Sequence, residues 1–312
     1  MHLKISIIYC EKNMIKQILK NFIPNELWRR VREYLIIREH KKVARVCDAL
    51  FKEYERSNNV TFKAKRDFGD KHIIWQYWGQ GYEQVPELVG ICLKSVEKYK
   101  NNCELVRLSD ENLSDYIDLP DFIVQKKEIF PRPFFSDLLR CILLSTYGGV
   151  WLDATVLLTG ALPERYFEQN FFLFQRDKDE PNQSYWESCL AHYYGWHKDF
   201  KVKMLSSIFF AKKDSLIVEK LTQLLLVYWK NETHLHHYFF LQILFNQLIE
   251  KNPEYNCPIE SDCTPHILQQ IINTGYQEVT FDEAVRMSNI HKLTYKDPHA
   301  ATRLKALLKE HV

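Results

Sequence analysis

Apolar side chains recur at helical spacing near the start of the chain. Ile15, Ile18, Leu19 and Phe22 form one stripe, and Pro24-Asn25 interrupts it. Leu27, Trp28, Val31, Tyr34 and Leu35 form a second, with Lys16, Lys20, Arg29, Arg30, Arg32 and Arg38 on the polar faces. Residues 12–56 therefore read as helices, and the polar stretch 58–70 as a linker. The pattern then changes. Residues 72–78 are an almost unbroken apolar run, which reads as a buried strand, and Gly79-Gln80-Gly81 supplies the turn after it. Residues 85–99 read as a helix that starts at Pro86. Residues 103–108 read as a second strand, ending at Ser109-Asp110. Strand, turn, helix and strand in this order predict an open α/β sheet with parallel strands. Right-handed crossovers place ligands outside the carboxyl ends of such strands.

A helix is expected over residues 133–147, stopped by Gly148-Gly149. Val150-Trp151-Leu152 is a short apolar strand closed by Asp153-Ala154-Thr155. Beyond it the pattern predicts strands at 173–175 and 207–211 and helices at 215–229 and 238–249. The tail over 279–309 is mixed.

The chain has 312 residues, 46% of them apolar, enough for one large domain or one domain with an appendage. No apolar run approaches the ~20 residues that span a bilayer. The run Ile5 to Cys10 is too short for a signal-peptide core and lacks a small-residue cleavage site. Eight cysteines are mostly scattered through apolar segments, as buried reduced thiols are. A cytoplasmic location is the expectation. The net charge of +2 hides an asymmetry: residues 1–66 hold 16 Lys and Arg against 7 Asp and Glu, a net of +9. The remainder holds 26 against 33, a net of −7. We therefore divide the chain into a basic amphipathic helical extension, 1–66, and a main domain, 67–312. Such an extension suits an anionic membrane surface, which places the protein peripherally at the inner face of the cell membrane. It equally suits a helical hairpin packed on the main domain with a solvated polar face. No nucleic-acid-binding motif accompanies the basic patch.

The chemistry concentrates in residues 135–156. Asp137 and Arg140, three apart, share one face of a helix that is otherwise apolar through Leu138, Leu139, Ile142, Leu143 and Leu144. A charged pair there is costly unless it is neutralised or used. The glycine pair allows close backbone approach, and the strand delivers Asp153 at its carboxyl end. A carboxylate so placed can hold a hard cation that neutralises a diphosphate. The alternatives are a structural ion pair for Asp137 and Arg140, a turn cap for Asp153, and core aromatics for Trp75 and Trp78. His234, His236 and His237 cluster by composition, but their spacing matches no defensible ligand set.

Residues 137–155 resemble the glycosyltransferases of the capsular polysaccharide synthesis family. These are similar to mannosyltransferase-like and large-clostridial-toxin-like enzymes that share a GT-A fold. The common pattern is Asp-x-x-Arg on a helix, Gly-Gly, and a strand ending in Asp-x-Asp. Residues 74–81, Ile-Trp-Gln-Tyr-Trp-Gly-Gln-Gly, resemble the first-strand nucleotide motif. The likeness continues weakly through 207–211, His237-Tyr238-Phe239 and 291–294, covering roughly residues 70 to 297. It implies a GT-A-type, Rossmann-like mixed and mainly parallel sheet with flanking helices. It also implies a hexosyltransferase that uses a nucleoside-diphosphate sugar, UDP being the expected nucleotide, with retention of configuration. The acceptor would be a hydroxyl of a growing surface or capsular glycan, free or lipid-linked. Gln76 and Trp78 would contact the nucleotide, with Trp78 stacked on the base. Asp137 and Arg140 would bind the donor sugar and its phosphates, and Asp153 the ribose and a metal. Lys292 would close over the diphosphate. Asp153, Thr155 and His291 would be the positions around a divalent cation, Mn²⁺ or Mg²⁺.

One residue departs from the pattern. The second carboxylate of Asp-x-Asp is Thr155, so a directly held cation needs other ligands. Arg140 or Lys292 can instead stabilise the leaving group. Two other functions fit the sequence. A haloacid-dehalogenase-like phosphatase would use Asp153 as nucleophile, although that motif normally lies on the first strand. A nucleotide-binding scaffold of a polysaccharide assembly complex would bind without turnover.

Overall fold

A computed structural model describes residues 25–274 and 276–311. The stripe from Ile15 to Phe22 lies outside the described residues. Helix α1 (Asn25–Tyr54) runs unbroken for 30 residues. Ile36, His40, Val43, Cys47 and Leu50 follow one another at steps of three and four and are buried. Ile36, Val43, Cys47 and Leu50 join the same hydrophobic cluster as the sheet. Leu27, Val31, Tyr34 and Leu35, on the first turns, are exposed.

The chain then builds β1 (Ile73–Tyr77), α2 (Glu87–Tyr99), β2 (Glu104–Leu108), α3 (Asp121–Lys126), α4 (Arg132–Tyr147) and β3 (Gly149–Leu152). Next come β4 (Val156–Leu158), α5 (Glu164–Phe167), β5 (Phe171–Gln175), α6 (Gln183–Cys189), β6 (Met204–Ala211), α7 (Leu216–Asn231) and α8 (Phe240–Lys251). The tail resolves into α9 (Ile267–Thr274), α10 (Phe281–Met287), β7 (Ile290–Lys292) and α11 (Ala300–His311).

Five strands form one sheet in the order β2-β1-β3-β6-β5. β2, β1 and β3 are mutually parallel, and β6 is antiparallel to both β3 and β5. The sheet is thus mixed, with β6 alone running against the common direction. The sequence could not reveal that reversal. All eight residues of β6 are buried, so its burial does not alternate and carries no direction. A separate two-stranded ribbon pairs β4 with β7. It returns the tail to the segment just after β3, which makes the tail part of the same functional edge.

Helix α4 is the core helix beneath that edge. Ten of its residues are buried, from Phe134 to Leu144, and Phe134 stacks on Trp229 of α7 with ring centroids 5.4 Å apart. Each large apolar side chain so buried contributes ~1.5 to 3 kcal/mol. The helix stops where Gly148 and Gly149 take φ values of 74° and 98°. Trp75 of β1 donates its indole N–H to the Gly148 carbonyl at 2.9 Å, fixing the turn against the sheet.

A methyl group at position 149 would run into the backbone carbonyl of Ile73, which cannot move without breaking β1. Gly149→Ala is expected to destabilise the fold by about 3 kcal/mol or more, combining strain at positive φ with a clash. Gly90, inside α2, would place a methyl group 3.8 Å from Val85, an ordinary contact. Gly90→Ala should stabilise by ~0.5 to 1 kcal/mol. Denaturant unfolding of the two variants beside the wild type checks both signs.

Candidate active site

β3 carries Asp153 out of the carboxyl edge of the sheet. The Asp153 N–H donates to the Ser207 carbonyl of β6 at 2.9 Å, and the Val156 N–H donates to the Asp153 carbonyl at 2.8 Å. These two bonds set the Asp153-Ala154-Thr155 turn. One helical turn of α4 places Asp137 and Arg140 on the face beside it. Arg140 Nη1 donates to Asp137 Oδ1 at 2.6 Å, and Nη2 donates to Asp153 Oδ1 at 3.1 Å. Trp151 Nε1 donates to the same Asp153 oxygen at 2.8 Å, and the Arg140 guanidinium lies 5.2 Å from the Trp151 ring centroid. Lys292 of β7 donates to Asp153 Oδ2 at 3.1 Å and to Thr155 Oγ1 at 2.5 Å. The result is a chain of alternating sign: Asp137, Arg140, Asp153, Lys292.

Accessibility grades along this chain. Arg140 and Asp137 keep 4% and 11% of their side chains exposed, against 27% for Asp153 and 22% for Lys292. The outer pair is open to solvent, and the inner pair lies sealed behind it. Burial works to raise the Asp153 pKa, but Lys292, Arg140 and the Trp151 N–H outweigh it and hold it below the usual value. Asp137 goes the other way. Burial pushes its carboxyl up to about 7, with Arg140 opposing and the charge of Asp153 adding to the rise.

The strand geometry separates two neighbouring residues. His291 pairs with Leu157 and Lys292 with Val156, so consecutive side chains leave the ribbon on opposite faces. Lys292 reaches Asp153, whereas His291 is fully buried with Nε2 3.1 Å from Thr159 Oγ1. Gln76 is also fully buried outside the charged cluster, its Oε1 accepting from Arg107 Nε at 3.5 Å. Trp78 sits on the rim. It packs with Tyr82 and Val85 against a small cluster of Val89, Leu93 and Ala154, the middle residue of the Asp153 turn. Its ring also meets Tyr295 edge-on at 5.9 Å.

Three further side chains belong to this edge and escaped the sequence reading of roles. Tyr238 leaves 65% of its surface exposed, while desolvation of its hydroxyl and the charges of Asp137 and Asp153 raise its pKa. Its signal was an aromatic inside a polar, histidine-rich loop. Tyr295 is the partner of Trp78. Asp110, at the end of β2, accepts from the Tyr77 hydroxyl at 2.5 Å and from Lys127 Nζ at 2.7 Å. It marks where the carboxyl ends of β1 and β2 meet.

The divalent cation that the Asp-x-Asp resemblance implies can be tested against these donors. A hard cation needs about six oxygen ligands, carboxylates foremost. The turn supplies one carboxylate, both of whose oxygens already accept hydrogen bonds, and a neutral hydroxyl that accepts from Lys292. His291 faces elsewhere. As placed, these residues do not fit the ion. Among the described residues, one group of His, Cys, Asp or Glu does converge: Glu232, His234 and His236 bring their ligand atoms within 4.8 Å of one another, on the loop before α8.

The raised Asp137 carboxyl has a stability consequence. A buried acid whose pKa rises on folding stabilises the protein while protonated, and that contribution is lost as the carboxyl ionises. The thermal midpoint of the unliganded protein should fall as pH rises from the ordinary 3.8 through about 7. Asp137→Asn should flatten that part of the profile. A slope unchanged in the variant would show that another group carries it.

Comparison with known proteins follows from this geometry. A family described as "Capsular polysaccharide synthesis protein" matches residues 28–310. No curated protein matches significantly. Among solved structures, a glycosyltransferase involved in the glycosylation of the major capsid of PBCV-1 aligns at 12% identity and a TM-score of 0.39, covering 76% of this chain and 99% of that one. The PaToxG glycosyltransferase aligns at 11% identity and a TM-score of 0.33, covering 90% of this chain and 97% of that one. The family match spans the Asp137–Arg140–Asp153 cluster and the Lys292 ribbon alike, and the chain belongs to the capsular polysaccharide synthesis family of glycosyltransferases.

Proposed function

We propose that the protein transfers a hexose from a nucleoside-diphosphate donor, UDP-linked by expectation, to a hydroxyl of a growing surface or capsular glycan, with retention of configuration. The observation that carries this reading is the bonded chain Asp137–Arg140–Asp153–Lys292 at the carboxyl edge of β3, beside the half-buried Trp78. Trp78 stacks on the base. Lys292 and Arg140 supply fixed positive charge for the diphosphate, the group on which negative charge develops. Asp137, protonated or ionised, has hydrogen-bonding capacity for sugar hydroxyls. In the transfer the bond from the anomeric carbon to the diphosphate oxygen breaks, and its electron pair leaves with the diphosphate. The acceptor oxygen bonds to the anomeric carbon on the same face, and its proton passes to the departing phosphate oxygen. No side chain is assigned as a covalent nucleophile.

The phosphatase alternative requires a free lone pair on Asp153 aimed at phosphorus. Asp153 follows the third strand of the chain rather than the first, where the phosphatase motif normally lies, which argues against that role. The first test is mass-spectrometric detection of diphosphate released from a panel of UDP- and GDP-sugars. Wild type should turn over at least one donor. Arg140→Ala and Asp153→Asn should each lose on the order of 10²- to 10³-fold. Donor binding without turnover on any acceptor would favour the scaffold instead.

The basic extension, residues 1–66, gives the enzyme a membrane-facing side in this reading, with residues 67–312 as the transferase unit. Leu27, Val31, Tyr34 and Leu35 form an exposed apolar stripe on α1, and Arg29, Arg30, Arg32 and Arg38 are on the same segment. That combination suits the anionic inner face of a membrane, where a lipid-linked acceptor is presented. Full-length protein should float with liposomes containing phosphatidylglycerol, and the triple variant Leu27→Glu, Val31→Glu, Leu35→Glu should not. Equal flotation of both would sink the idea.

A further inference from the structure

The fold's usual partner for a diphosphate is a divalent ion held by two carboxylates, and the turn after β3 does not fit that ion. Thr155 replaces the second carboxylate. Its hydroxyl and Asp153 Oδ2 are instead bridged by one ammonium group, Lys292 Nζ, at 2.5 and 3.1 Å. An ion held by Asp153 and Thr155 would have to sit where the ammonium now sits, against its charge.

Lys292 is not a loose surface lysine that happens to fall there. Its residue pairs with Val156 across the β4–β7 ribbon, and the Leu293 N–H donates to the Thr155 carbonyl at 3.0 Å. The backbone on both sides of the ammonium is thus bonded to the turn that carries Asp153 and Thr155. The side chain keeps 22% of its surface exposed, so the group faces ligand while its stem is held. An ammonium has three N–H donors, and two are used on the protein. The third is available to a phosphate oxygen.

We infer that Lys292, braced by Asp153 and Thr155 and backed by Arg140, is a built-in cation that takes the place of the divalent metal, so that this enzyme grips the donor diphosphate without one. The inference rests on the transferase reading above and specifies its electrostatics. Asp153 changes role accordingly. It orients two cations rather than ligating an ion, and Thr155 becomes the better residue at its position, because a carboxylate there would neutralise the ammonium needed for the phosphate.

Isothermal titration of UDP and of GDP into the full chain, in EDTA and in Mn²⁺, tests this directly. The nucleotide that binds should bind equally well in both, and transfer or hydrolysis of its sugar should survive EDTA. Lys292→Met should weaken that binding about tenfold or more, the loss of one charge-assisted hydrogen bond, while Lys292→Arg should keep most of it. The double variant Thr155→Asp, Lys292→Met should acquire Mn²⁺-dependent binding. The EDTA comparison is made on wild type, so a folding defect in a variant leaves it intact. Binding that requires Mn²⁺ in wild type would overturn the inference and leave the transferase reading standing. No binding of either nucleotide in either condition would remove the transferase reading itself, and the inference with it.

Discussion

Arg140 is charged, sits on a core helix and exposes 4% of its side chain. Water cannot satisfy it, so protein must, and the rest of the site is arranged around that requirement. A buried guanidinium is tolerable when carboxylates meet it with good geometry, and strongly destabilising when one is removed. Asp137 meets it from the same helix and Asp153 from the neighbouring strand. The pairing therefore bonds α4 to the carboxyl end of β3 across the Gly148-Gly149 turn. The left-handed glycines at 148 and 149 permit that closeness, and the Trp151 ring covers the guanidinium. Charge at the edge of the sheet is thus a product of core packing. The groups open to solvent, Asp153 and Lys292, are the outermost members of a series that begins inside the hydrophobic core.

Much of this was legible in the sequence because the chemistry is local there. Asp137, Arg140 and Asp153 lie within 17 consecutive positions, and helix periodicity followed by a strand fixes their relation. β1, β2, α2, α4 and α7 likewise follow from apolar runs and punctuation. The reversed direction of β6 does not, since a strand buried on both faces reads the same either way. The tail was opaque for another reason. β7 is three residues long, and nothing in its neighbourhood announces a pairing with β4. That pairing decides which of two adjacent residues reaches Asp153. His291 was expected beside a metal and Lys292 over the diphosphate, and strand alternation turns one inward to Thr159 and the other outward to Asp153. Gln76 differs from Trp78 for another reason: Gln76 lies inside β1 and accepts from Arg107 of β2, while Trp78 follows the strand's end and packs on the rim.

α1 shows two fates of one amphipathic pattern. Its later turns place Ile36, Val43, Cys47 and Leu50 in the main core, and its first turns leave Leu27, Val31, Tyr34 and Leu35 exposed. The sequence offered membrane binding and packing on the domain as alternatives. A helix of 30 residues is long enough for different parts of it to have different neighbours.

The ribbon that delivers Lys292 carries a temporal consequence. Asp153 and Lys292 are 139 positions apart, and the ladder that joins them is a single short pair of strands. During synthesis the sheet, α4 and the Arg140 pairing can all form while the chain still lacks its last segment. Only after β7 emerges from the ribosome does the second cation arrive. Nascent and prematurely ended chains would then hold the Asp153 carboxylate with one of its two cationic partners.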